Sequence, residues 1–596
     1  IFVTRRTGTM GHERRAWWVG TAVVLAAALL AVAPLLVRGT TCGHDFDFHL
    51  ANWLDAHQSW TQGILYPHWG AHANWGAGEP RFIFYPPLEW MLGAALGFVL
   101  PWGLVEPAVI FLCLAGCGLA TQALAREKLS EGAAALAGCV ALFSGYGLFT
   151  AYERSDFAEL MGGFWIPLVL LYALRDRRPD GGIWRRALDG STAPLALAVA
   201  GAWLSNAPLG VMASYLLVAV AAMAAAMRRS WAPVVRAGAA AAVGLALTGF
   251  WLVPAAVEQR WVDMRQILND QGLRVEMSWM FARHADPAMA AHDAELQKVS
   301  AIGALMLGLA LAGLLPAWKR GRLRGGWSWW LPVAAISVAV LLLQTPVSLW
   351  VWNLLPKMRF LQFPWRWLVA VQAPMGILIA AGVWTEGRRV RAAVWTACAA
   401  GCVALAVLAG RVYFQQCYPE DSVPSMVDAW HGGEGWEGTY EYEPPWADNG
   451  ALATGLPDGC LVDDAAKMLG RVNDDQVLAW TPDEKSCVAM FDRAREARNE
   501  RFVLEADAPR AGWLVLKLRS YPAWAVRVNG VAQAALAERE DGLIVVPVAA
   551  GRVRVTAEWT TTEDAWVGRG LSLLGLVLLT GMCALERGGR RARVEL

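Results

Sequence analysis

The sequence lacks the motifs by which soluble enzymes hold nucleotides or activate nucleophiles. It contains no Walker A loop, no glycine-rich dinucleotide turn, no nucleophile elbow and no HExxH pair. CxxC spacing of the structural zinc type is also missing, although the chain has 10 cysteines. The missing nucleotide loop indicates that any phosphate donor is carried by a lipid rather than by a cytosolic nucleotide.

Charge is also scarce, and the two signs almost cancel. Charged residues make up 17% of the 596 residues, hydrophobic residues make up 56%, and the net charge is +1. The mean hydropathy is +0.35. Several stretches hold roughly 20 apolar residues without a charge, which is the length that crosses ~30 Å of hydrocarbon. The composition therefore predicts a protein embedded in the lipid bilayer, and no nucleic-acid partner is expected.

The positions of the basic loops predict about twelve membrane spans with both termini in the cytoplasm. The loops rich in arginine and lysine fall on one side if the short segment Leu88–Pro101 lies in the interface or re-enters instead of crossing. The basic start of the chain has no A-x-A cleavage site, so we expect a retained first helix and not a signal peptide. The predicted spans cover approximately residues 17–37, 104–124, 133–150, 157–174, 191–204, 209–227, 237–257, 301–315, 329–343, 368–384, 393–409 and 567–585.

A polar region before the last span predicts a small β-domain outside the membrane. Residues 512–519 and 523–528 alternate between apolar and polar side chains, a later strand covers 552–556, and Asn529-Gly530 and Asp541-Gly542 are tight-turn signals. We therefore expect a mainly α polytopic transmembrane helix bundle with an extracytoplasmic antiparallel β-sandwich inserted before the last span. The predicted domains are residues 1–410 (transmembrane, with the first external loop at 38–103), 411–565 (β-rich) and 566–596 (last helix and basic cytoplasmic tail).

Three cysteines in the predicted external domain make a disulfide plausible there. Cys417, Cys460 and Cys487 would share an oxidising compartment. Their pairing is not readable from the sequence.

The first candidate site follows the first span directly. Asp45, Asp47 and His49 lie in a loop region that holds five of the nine histidines, between positions 44 and 72. On a helix Asp45 and His49 share a face while Asp47 points away, whereas in an extended loop all three share one side. A carboxylate beside a hydroxyl can act as a general base, and carboxylates with a histidine can hold a divalent metal. The alternative is an ordinary solvated loop.

Two further acidic candidates lie at span ends. Arg154 and Asp156 precede the fourth span, and Glu159 lies at its entrance, where carboxylates at membrane depth are costly and usually functional. They also fit plain helix capping with a first-turn glutamate. Glu258 ends a later apolar stretch and is equally well explained as an interfacial charge.

A fourth candidate is suited to phosphate. Gln362, Trp365 and Arg366 lie at the entrance of the tenth span, with Arg366 between two tryptophans. A guanidinium binds phosphate oxygens in a bidentate manner. The alternative is an arginine that snorkels within an aromatic belt.

Together these segments resemble the GT-C superfamily of integral-membrane glycosyltransferases, and more closely bacterial membrane proteins described as 6-pyruvoyl-tetrahydropterin synthase-related. The segments that carry the resemblance are His44-Asp45-x-x-x-His49, Tyr66-Pro67-x-Trp69, Phe84-Tyr85-Pro86-Pro87-Leu88, Trp251-x-x-Pro254-x-x-x-Glu258 and Gln362-Phe363-Pro364-Trp365-Arg366. No metal motif of the soluble pterin synthases is present, so that description does not predict the chemistry.

The resemblance implies a GT-C glycosyltransferase that moves a sugar from a polyprenyl-phosphate donor to an extracytoplasmic glycan, lipid or protein. In GT-C enzymes the first-loop aspartate is the usual base or metal ligand, and this role falls on Asp45, with Asp47 in reserve. His49 is expected to orient Asp45 or to help in binding. Asp156 matches the second acidic loop, and Glu258 matches a later one by position. Arg154 and Glu159 join Asp156 as candidates for binding acceptor or metal. A divalent metal such as Mg²⁺ or Mn²⁺ is compatible with the superfamily, but the first loop lacks the Asp-Asp pair of its metal-dependent members.

Two other functions use the same residues. A non-catalytic lipid or glycan transporter or flippase would line a polar path with these charges, and an external metal-dependent hydrolase would use His44, Asp45 and His49. Almost no charges lie in the middle of the predicted spans, which favours the transferase. The expected location is a bacterial inner (plasma) membrane, with the site and the β-domain on the extracytoplasmic side.

Overall fold

The structure of the chain is a computed structural model. It describes residues 5–176, 182–264, 273–323, 325–385, 387–447, 457–463, 488–490, 499–533, 536–539 and 541–591, together with residues 452 and 465. Cys487 and part of the polar loop that follows Glu258 lie outside the described residues.

The chain is mainly helical up to residue 432 and returns to helix at residue 563. Long runs of alanine, leucine and valine form these helices, because a backbone in apolar surroundings must satisfy its own hydrogen bonds. The α-helices are α1 (Arg5–Arg38), α2 (Phe46–Thr61), α3 (Arg81–Phe84), α4 (Pro87–Gly97), α5 (Trp102–Ala125), α6 (Glu131–Leu142), α7 (Gly145–Phe149), α8 (Phe157–Leu160), α9 (Gly162–Leu174), α10 (Ile183–Ala187), α11 (Thr192–Ser205), α12 (Ala207–Arg228), α13 (Ala232–Leu247), α14 (Gly249–Glu258), α15 (Ala290–Lys319), α16 (Trp327–Leu343), α17 (Leu349–Leu354), α18 (Gln372–Val383), α19 (Arg388–Leu408), α20 (Val423–Gly432) and α21 (Glu563–Arg591).

By length and composition, eight helical segments of the described chain could cross a membrane, or eleven if each of three bent pairs is one span. The pairs bend by 42° after α6, by 74° after α13 and by 97° after α16. Each predicted span falls on one of these segments, except that the fifth is the shorter apolar helix α11 of 14 residues. The mainly helical, multi-span architecture is therefore confirmed, while the number of spans stays a prediction.

The ambiguous segment Leu88–Pro101 is largely covered by α4, which has 11 residues. At 1.5 Å per residue this helix reaches roughly half-way through ~30 Å of hydrocarbon. Pro87 starts it, since proline at the first helical position supplies a fixed φ and lacks only an N–H that would be unpaired anyway. Glu89 and Trp90 are fully buried, and the helix packs against α2. Whether the segment crosses the bilayer stays a prediction.

Two four-stranded antiparallel sheets form the predicted β-domain. Their orders are β2-β1-β4-β7 and β3-β8-β5-β6. Leu514 of one sheet and Val555 of the other belong to a single buried core, so the sheets pack face to face as a sandwich. Asn529 and Gly530, with φ of +48° and +84°, form the predicted two-residue turn between β5 and β6. The strands are β1 (Gly459–Val462), β2 (Val488–Met490), β3 (Arg501–Ala508), β4 (Gly512–Arg519), β5 (Trp524–Val528), β6 (Val531–Ala532), β7 (Leu543–Val548) and β8 (Gly551–Trp559).

The segment between α1 and α4 contributes to the same core. Trp69, Ile83 and Phe84 are buried with the inward-facing side chains of the sandwich. The loop that carries the first candidate site is therefore packed between the helical part and the β-domain.

Two of the three cysteines that the sequence analysis grouped are disulfide-bonded in the described structure. Cys417 pairs with Cys42, which lies just after α1, and Cys460 is also disulfide-bonded. The sequence left the pairing open, and Cys417 meets Cys42 because the chain after α19 returns alongside the end of α1. There Cys42 donates its N–H to the carbonyl of Gln415 at 3.1 Å. The bond therefore fastens the segment that leads into Asp45.

Candidate functional site

Backbone hydrogen bonds hold the two acidic loops side by side. The N–H groups of His44 and Asp45 donate to the carbonyls of Glu153 and Arg154, at 3.2 and 2.9 Å. Gly43 lies where a Cβ would overlap the carbonyl oxygen of Glu153. A glycine is needed for this close approach, and it brings the Asp45 loop against Arg154.

Arg154 links three acidic side chains. Its Nη1 donates to Glu159 at 2.7 Å and its Nη2 donates to Asp156 at 3.0 Å, while Oδ2 of Asp45 lies 3.9 Å away. Asp156 also caps α8, since its Oδ1 accepts the N–H of Glu159 at 2.8 Å. The two interpretations that the sequence left open, a charge cluster and helix capping, thus both occur in the same residues.

Arg366 reaches this cluster from a distant part of the chain. Its Nε lies 3.1 Å from Oε2 of Glu159, so Glu159 lies between two guanidinium groups, and it also accepts a hydrogen bond from Tyr146. Among the described residues, neither terminal nitrogen of Arg366 has a hydrogen-bond partner. These nitrogens retain the capacity to bind an anion.

The neighbours of Arg366 form a rigid aromatic support. Its guanidinium lies 5.3 Å from the centre of the Phe363 ring, which stacks on Trp365 at 4.4 Å and 6°. Trp365 is 3% exposed, and its indole N–H is buried without a partner in the described structure. Gln362 has a φ of +59°, unusual for a residue with a side chain, and starts this turn.

His49 is paired with a residue that the sequence analysis did not select. Its Nδ1 lies 3.0 Å from Oε2 of Glu89, and both side chains are almost completely buried. Oε1 of Glu89 accepts the indole N–H of Trp53 at 2.7 Å. The expected orienting contact from His49 to Asp45 is not made, because Nδ1 faces Glu89 and Nε2 has no partner among the described residues.

The charges shift the ionisation of three groups in different directions. Desolvation and then the negative charge of Asp156 raise the pKa of Asp45, against the opposing effect of Arg154. Burial favours the neutral form of Asp156, but Arg154 and Arg366 outweigh it and lower the pKa of that carboxyl. Burial likewise opposes protonation of His49, yet Glu89 and Asp156 raise its pKa. The cluster thus keeps one firmly ionised aspartate and one aspartate that binds a proton more readily.

The three acids of the cluster differ in how far their side chains are exposed to solvent. The side chain of Asp45 is 43% exposed, whereas those of Asp156 and Glu159 are 6% and 1% exposed. No hydrogen bond to the Asp45 carboxylate is made by any described residue. Asp45 is therefore the acid of this cluster that a second molecule can reach.

Two predicted residues do not join the cluster. Asp47 is exposed on the first turn of α2, as expected for the helical alternative, and its electrostatic neighbour is Asp421. Glu258 is bound by Tyr521 and, at 2.9 Å, by Thr562, so it links α14 to the β-domain and the start of α21. The role that the resemblance implied for Glu258, as a later acid of the active site, has no support in this geometry.

Sequence reasoning missed several members of the site. Glu89 is a lone acid in a short apolar segment. Because a carboxylate at membrane depth is costly and usually functional, this residue could have been selected from the sequence. Glu153 pairs with Lys298 of α15, and His44 lies 3.9 Å from Glu295 of the same helix. Nothing in the local pattern indicates that α15 borders the first loop.

The described acidic and histidine side chains of the cluster do not converge as metal ligands do. In the part of the chain that the structure describes, no three histidine, cysteine, aspartate or glutamate side chains lie close enough together to hold a metal ion. Asp156 and Glu159 are engaged by Arg154 instead. Among the described residues, the cluster therefore offers no complete set of ligands to a divalent metal.

An apolar groove of about 500 Å³ is lined in part by residues that are close in sequence to Glu89 and Glu159. It lies between α4, α5 and α9, and it includes Leu88, next to Glu89, and Met161, two residues after Glu159. Its other lining residues are Trp60, Met91, Leu92, Ala95, Leu112, Cys113, Phe164 and Trp165. The groove can hold a hydrocarbon chain.

The sequence matches one protein family. The model of a family described as "6-pyruvoyl-tetrahydropterin synthase related domain; membrane protein" matches residues 82–416. No curated protein sequence matches this chain.

Similar solved structures include an oligosaccharyltransferase, an arabinofuranosyltransferase and ArnT. The oligosaccharyltransferase AglB of Archaeoglobus fulgidus, in complex with an inhibitory peptide and a dolichol-phosphate, is 13% identical over 72% of this chain and 61% of its own, with a TM-score of 0.43. The arabinofuranosyltransferase AftD from Mycobacteria is 17% identical over 69% of this chain and 28% of its own, with a TM-score of 0.41. ArnT of Cupriavidus metallidurans, bound to undecaprenyl phosphate, is 13% identical over 61% of this chain and 77% of its own, with a TM-score of 0.28.

The chain spans about 60% of the length of the archaeal oligosaccharyltransferase structures that it matches. All of these TM-scores are below 0.5, so the similarities establish neither the activity nor a ligand of this chain.

Proposed function

This chain belongs to the family of membrane proteins described as 6-pyruvoyl-tetrahydropterin synthase-related, and we propose that it is a glycosyltransferase. In this proposal it moves a sugar from a polyprenyl-phosphate carrier to a hydroxyl group of an extracytoplasmic glycan, lipid or protein. The proposal rests on one observation, the placement of an accessible carboxylate, Asp45, in the same cluster as Arg366.

Asp45 has the properties of a general base. It is the accessible acid of the cluster, and the described residues leave its carboxylate without a hydrogen bond. Its raised pKa moves it toward the pH at which the protein works, and general-base catalysis is most efficient when the two are close. Asp156, with its lowered pKa, stays ionised and keeps the site negative.

Arg366 has the properties of a phosphate-binding group. Glu159 occupies one edge of its guanidinium, and the terminal nitrogens are left for another anion. Guanidinium groups in a water-poor site stabilise the charge that develops on a leaving phosphate. Phe363 and Trp365 hold the guanidinium in place by packing.

The apolar groove beside α4 supplies room for the carrier. Its lining is made of leucine, methionine and aromatic side chains, which suits an isoprenoid chain and offers little to a soluble nucleotide-sugar. The phosphate of such a carrier would lie toward the polar cluster, because Leu88 and Met161 of the groove are close in the chain to Glu89 and Glu159.

In the proposed step the acceptor hydroxyl loses its proton to Asp45 while its oxygen forms a bond to the anomeric carbon. The bond between that carbon and the donor phosphate oxygen breaks, and its electron pair stays on the phosphate beside Arg366. In-line attack inverts the anomeric carbon. Asp45 then releases the proton to water, and the glycosylated acceptor and the free carrier phosphate leave.

The test is turnover of polyprenyl-phosphate sugars by the purified full-length protein in nanodiscs, with release of the carrier phosphate followed by mass spectrometry. Asp45→Asn removes the base and keeps the volume, so we expect a loss of about 100-fold or more in kcat. Asp47→Asn is the matched control, since this acid is two residues away but exposed on the other face of α2.

Equal loss in both variants would point to damage of the loop instead of loss of a base. Full turnover by Asp45→Asn would refute the assignment. Transport of the intact carrier across the bilayer, with no release of phosphate, would favour the transporter alternative.

A further inference from the structure

A second cavity lies away from the Asp45 cluster, where α14, the first external loop and α21 meet. Its volume is about 250 Å³. The lining residues are Tyr66, His68, Ile83, Phe250, Trp251, Pro254, Ala565 and Arg569. Gly249 and Gly568 let α14 and α21 touch here, since a Cβ on Gly568 would overlap the carbonyl of Gly249.

Two hydrogen-bond donors in this lining have no partner among the described residues. The hydroxyl of Tyr66 and the indole N–H of Trp251 are buried and unpaired among the described residues, and Trp251 is only 2% exposed. A buried polar group that is left unpaired destabilises the fold, because it has lost its hydrogen bonds to water. Two such donors beside one cavity indicate that a ligand with acceptor atoms completes the site.

The charge of the lining is positive. No described carboxylate pairs with Arg569, whose guanidinium lies 5.2 Å from the centre of the Trp566 ring. None of the described residues that line the cavity is acidic. Glu500 accepts a hydrogen bond from Nδ1 of His68 at 2.9 Å. An anion with several acceptor oxygens fits these groups.

Arg569 lies on a helix whose apolar side chains are largely exposed, as they are in helices that face lipid. The candidate span that contains it, Glu563–Glu586, is 11% buried, and Trp566, Leu573 and Val577 on it are each at least 60% exposed. Arg569 lies six residues from Glu563, or about 9 Å along the helix. A span that enters the interface at Glu563 would place Arg569 close to the boundary between headgroups and hydrocarbon.

We propose that this cavity binds the phosphate headgroup of a membrane lipid whose chains lie along the exposed face of α21. Arg569 contacts the phosphate from the bilayer side, and Tyr66 and Trp251 donate to its oxygens from inside. The site is distinct from the Asp45 cluster, and its occupancy does not depend on sugar transfer.

The experiment measures lipid-dependent stabilisation of the purified full-length protein in detergent, by titration of its unfolding midpoint. The probes are phosphatidylglycerol, diacylglycerol with the same chains, and glycerol 3-phosphate. We expect stabilisation by phosphatidylglycerol alone, because the site needs both a phosphate and chains that hold it in the bilayer.

Arg569→Gln should weaken phosphatidylglycerol binding by about tenfold, as expected for loss of one charge-assisted contact. Arg411→Gln is the matched control, since Arg411 is also an exposed arginine at a span end but lines no part of the cavity. Tyr66→Phe removes only the hydroxyl and should weaken binding by about threefold.

Unchanged binding in Arg569→Gln would overturn the site. If that variant does not fold, unchanged binding in Tyr66→Phe would overturn it instead. Stabilisation by glycerol 3-phosphate equal to that by phosphatidylglycerol would overturn the lipid assignment in favour of a free phosphate ester.

Discussion

Glu159 and Arg366 meet at 3.1 Å, and the same carboxylate oxygen accepts a 2.7 Å hydrogen bond from Arg154. One buried acid therefore pairs with two arginines that lie far apart in the sequence. This arrangement gives the site a rigid interior, and it leaves Asp45 and the outer edge of Arg366 for a substrate.

Glu159→Gln should destabilise the fold strongly. It leaves the guanidinium groups of Arg154 and Arg366 buried with one fewer negative charge, and breaking a buried pair in this way costs about 3–5 kcal/mol. The measurement is the free energy of unfolding in detergent. Glu276→Gln, which breaks the exposed 2.6 Å pair with Arg359, should cost about 1 kcal/mol or less. Similar losses in both variants would contradict the central position of Glu159.

Arg366→Lys should raise the KM for the lipid-phosphate donor by about tenfold, because an ammonium is a point charge and cannot bind two phosphate oxygens side by side. Steady-state kinetics with the purified protein would measure the effect. Arg359→Lys is the control, since Arg359 is exposed and pairs with Glu276 outside the cluster. An unchanged KM in Arg366→Lys would contradict phosphate binding at this residue.

Asp156→Asn should move the acid limb of the pH–rate profile to lower pH. Asp45 acts as a base only when ionised, so the rate falls as the pH drops through its pKa. That pKa is raised above the ordinary 3.8 by desolvation and then by the charge of Asp156. Removing this charge lowers the pKa of Asp45, while asparagine still caps α8.

The profile of kcat/KM against pH would show this shift. Asp47→Asn, which changes an exposed acid on the other face of α2, should leave the limb in place. A shift to higher pH in Asp156→Asn would contradict the electrostatic coupling.

Glu89→Gln should flatten the pH dependence of stability near neutrality. The pKa of His49 in the fold is raised above 6.5, chiefly by Glu89 acting against burial. A raised pKa contributes stability that is fully present below pH 6.5 and is lost as the pH rises through the folded value. Glutamine removes the charge but can still accept from Trp53.

Unfolding midpoints measured from pH 6 to pH 9 would test this. His49→Asn should flatten the same part of the curve, since it removes the titrating group itself. An equally steep curve in Glu89→Gln would show that another group is responsible.

Cys42→Ser should lower the free energy of unfolding by about 2–4 kcal/mol, because the bond to Cys417 closes a very long loop. It should also reduce turnover, since Cys42 is next to Gly43 at the entry of the site. Thermal unfolding and turnover are the measurements. Cys583→Ser, which changes a half-buried free cysteine of α21, should alter neither.

Much of the fold was determined by local pattern. Apolar runs of the right length predicted helices such as α5 and α12, because a segment in hydrocarbon must bond its own backbone. Alternation predicted β4 and β5, and Asn529-Gly530 predicted the turn after β5, since both residues accept positive φ there.

The site depended on contacts that no local pattern encodes. Only the tertiary structure brings Asp45 against Arg154, links Arg366 to Glu159 in the same cluster, and pairs His49 with Glu89. Periodicity reports the neighbours of a residue within its own helix or strand, whereas these partners are set by how separate helices pack. The sequence by itself therefore determined the elements and the residue types capable of chemistry, and the packing of the chain decided which of them meet.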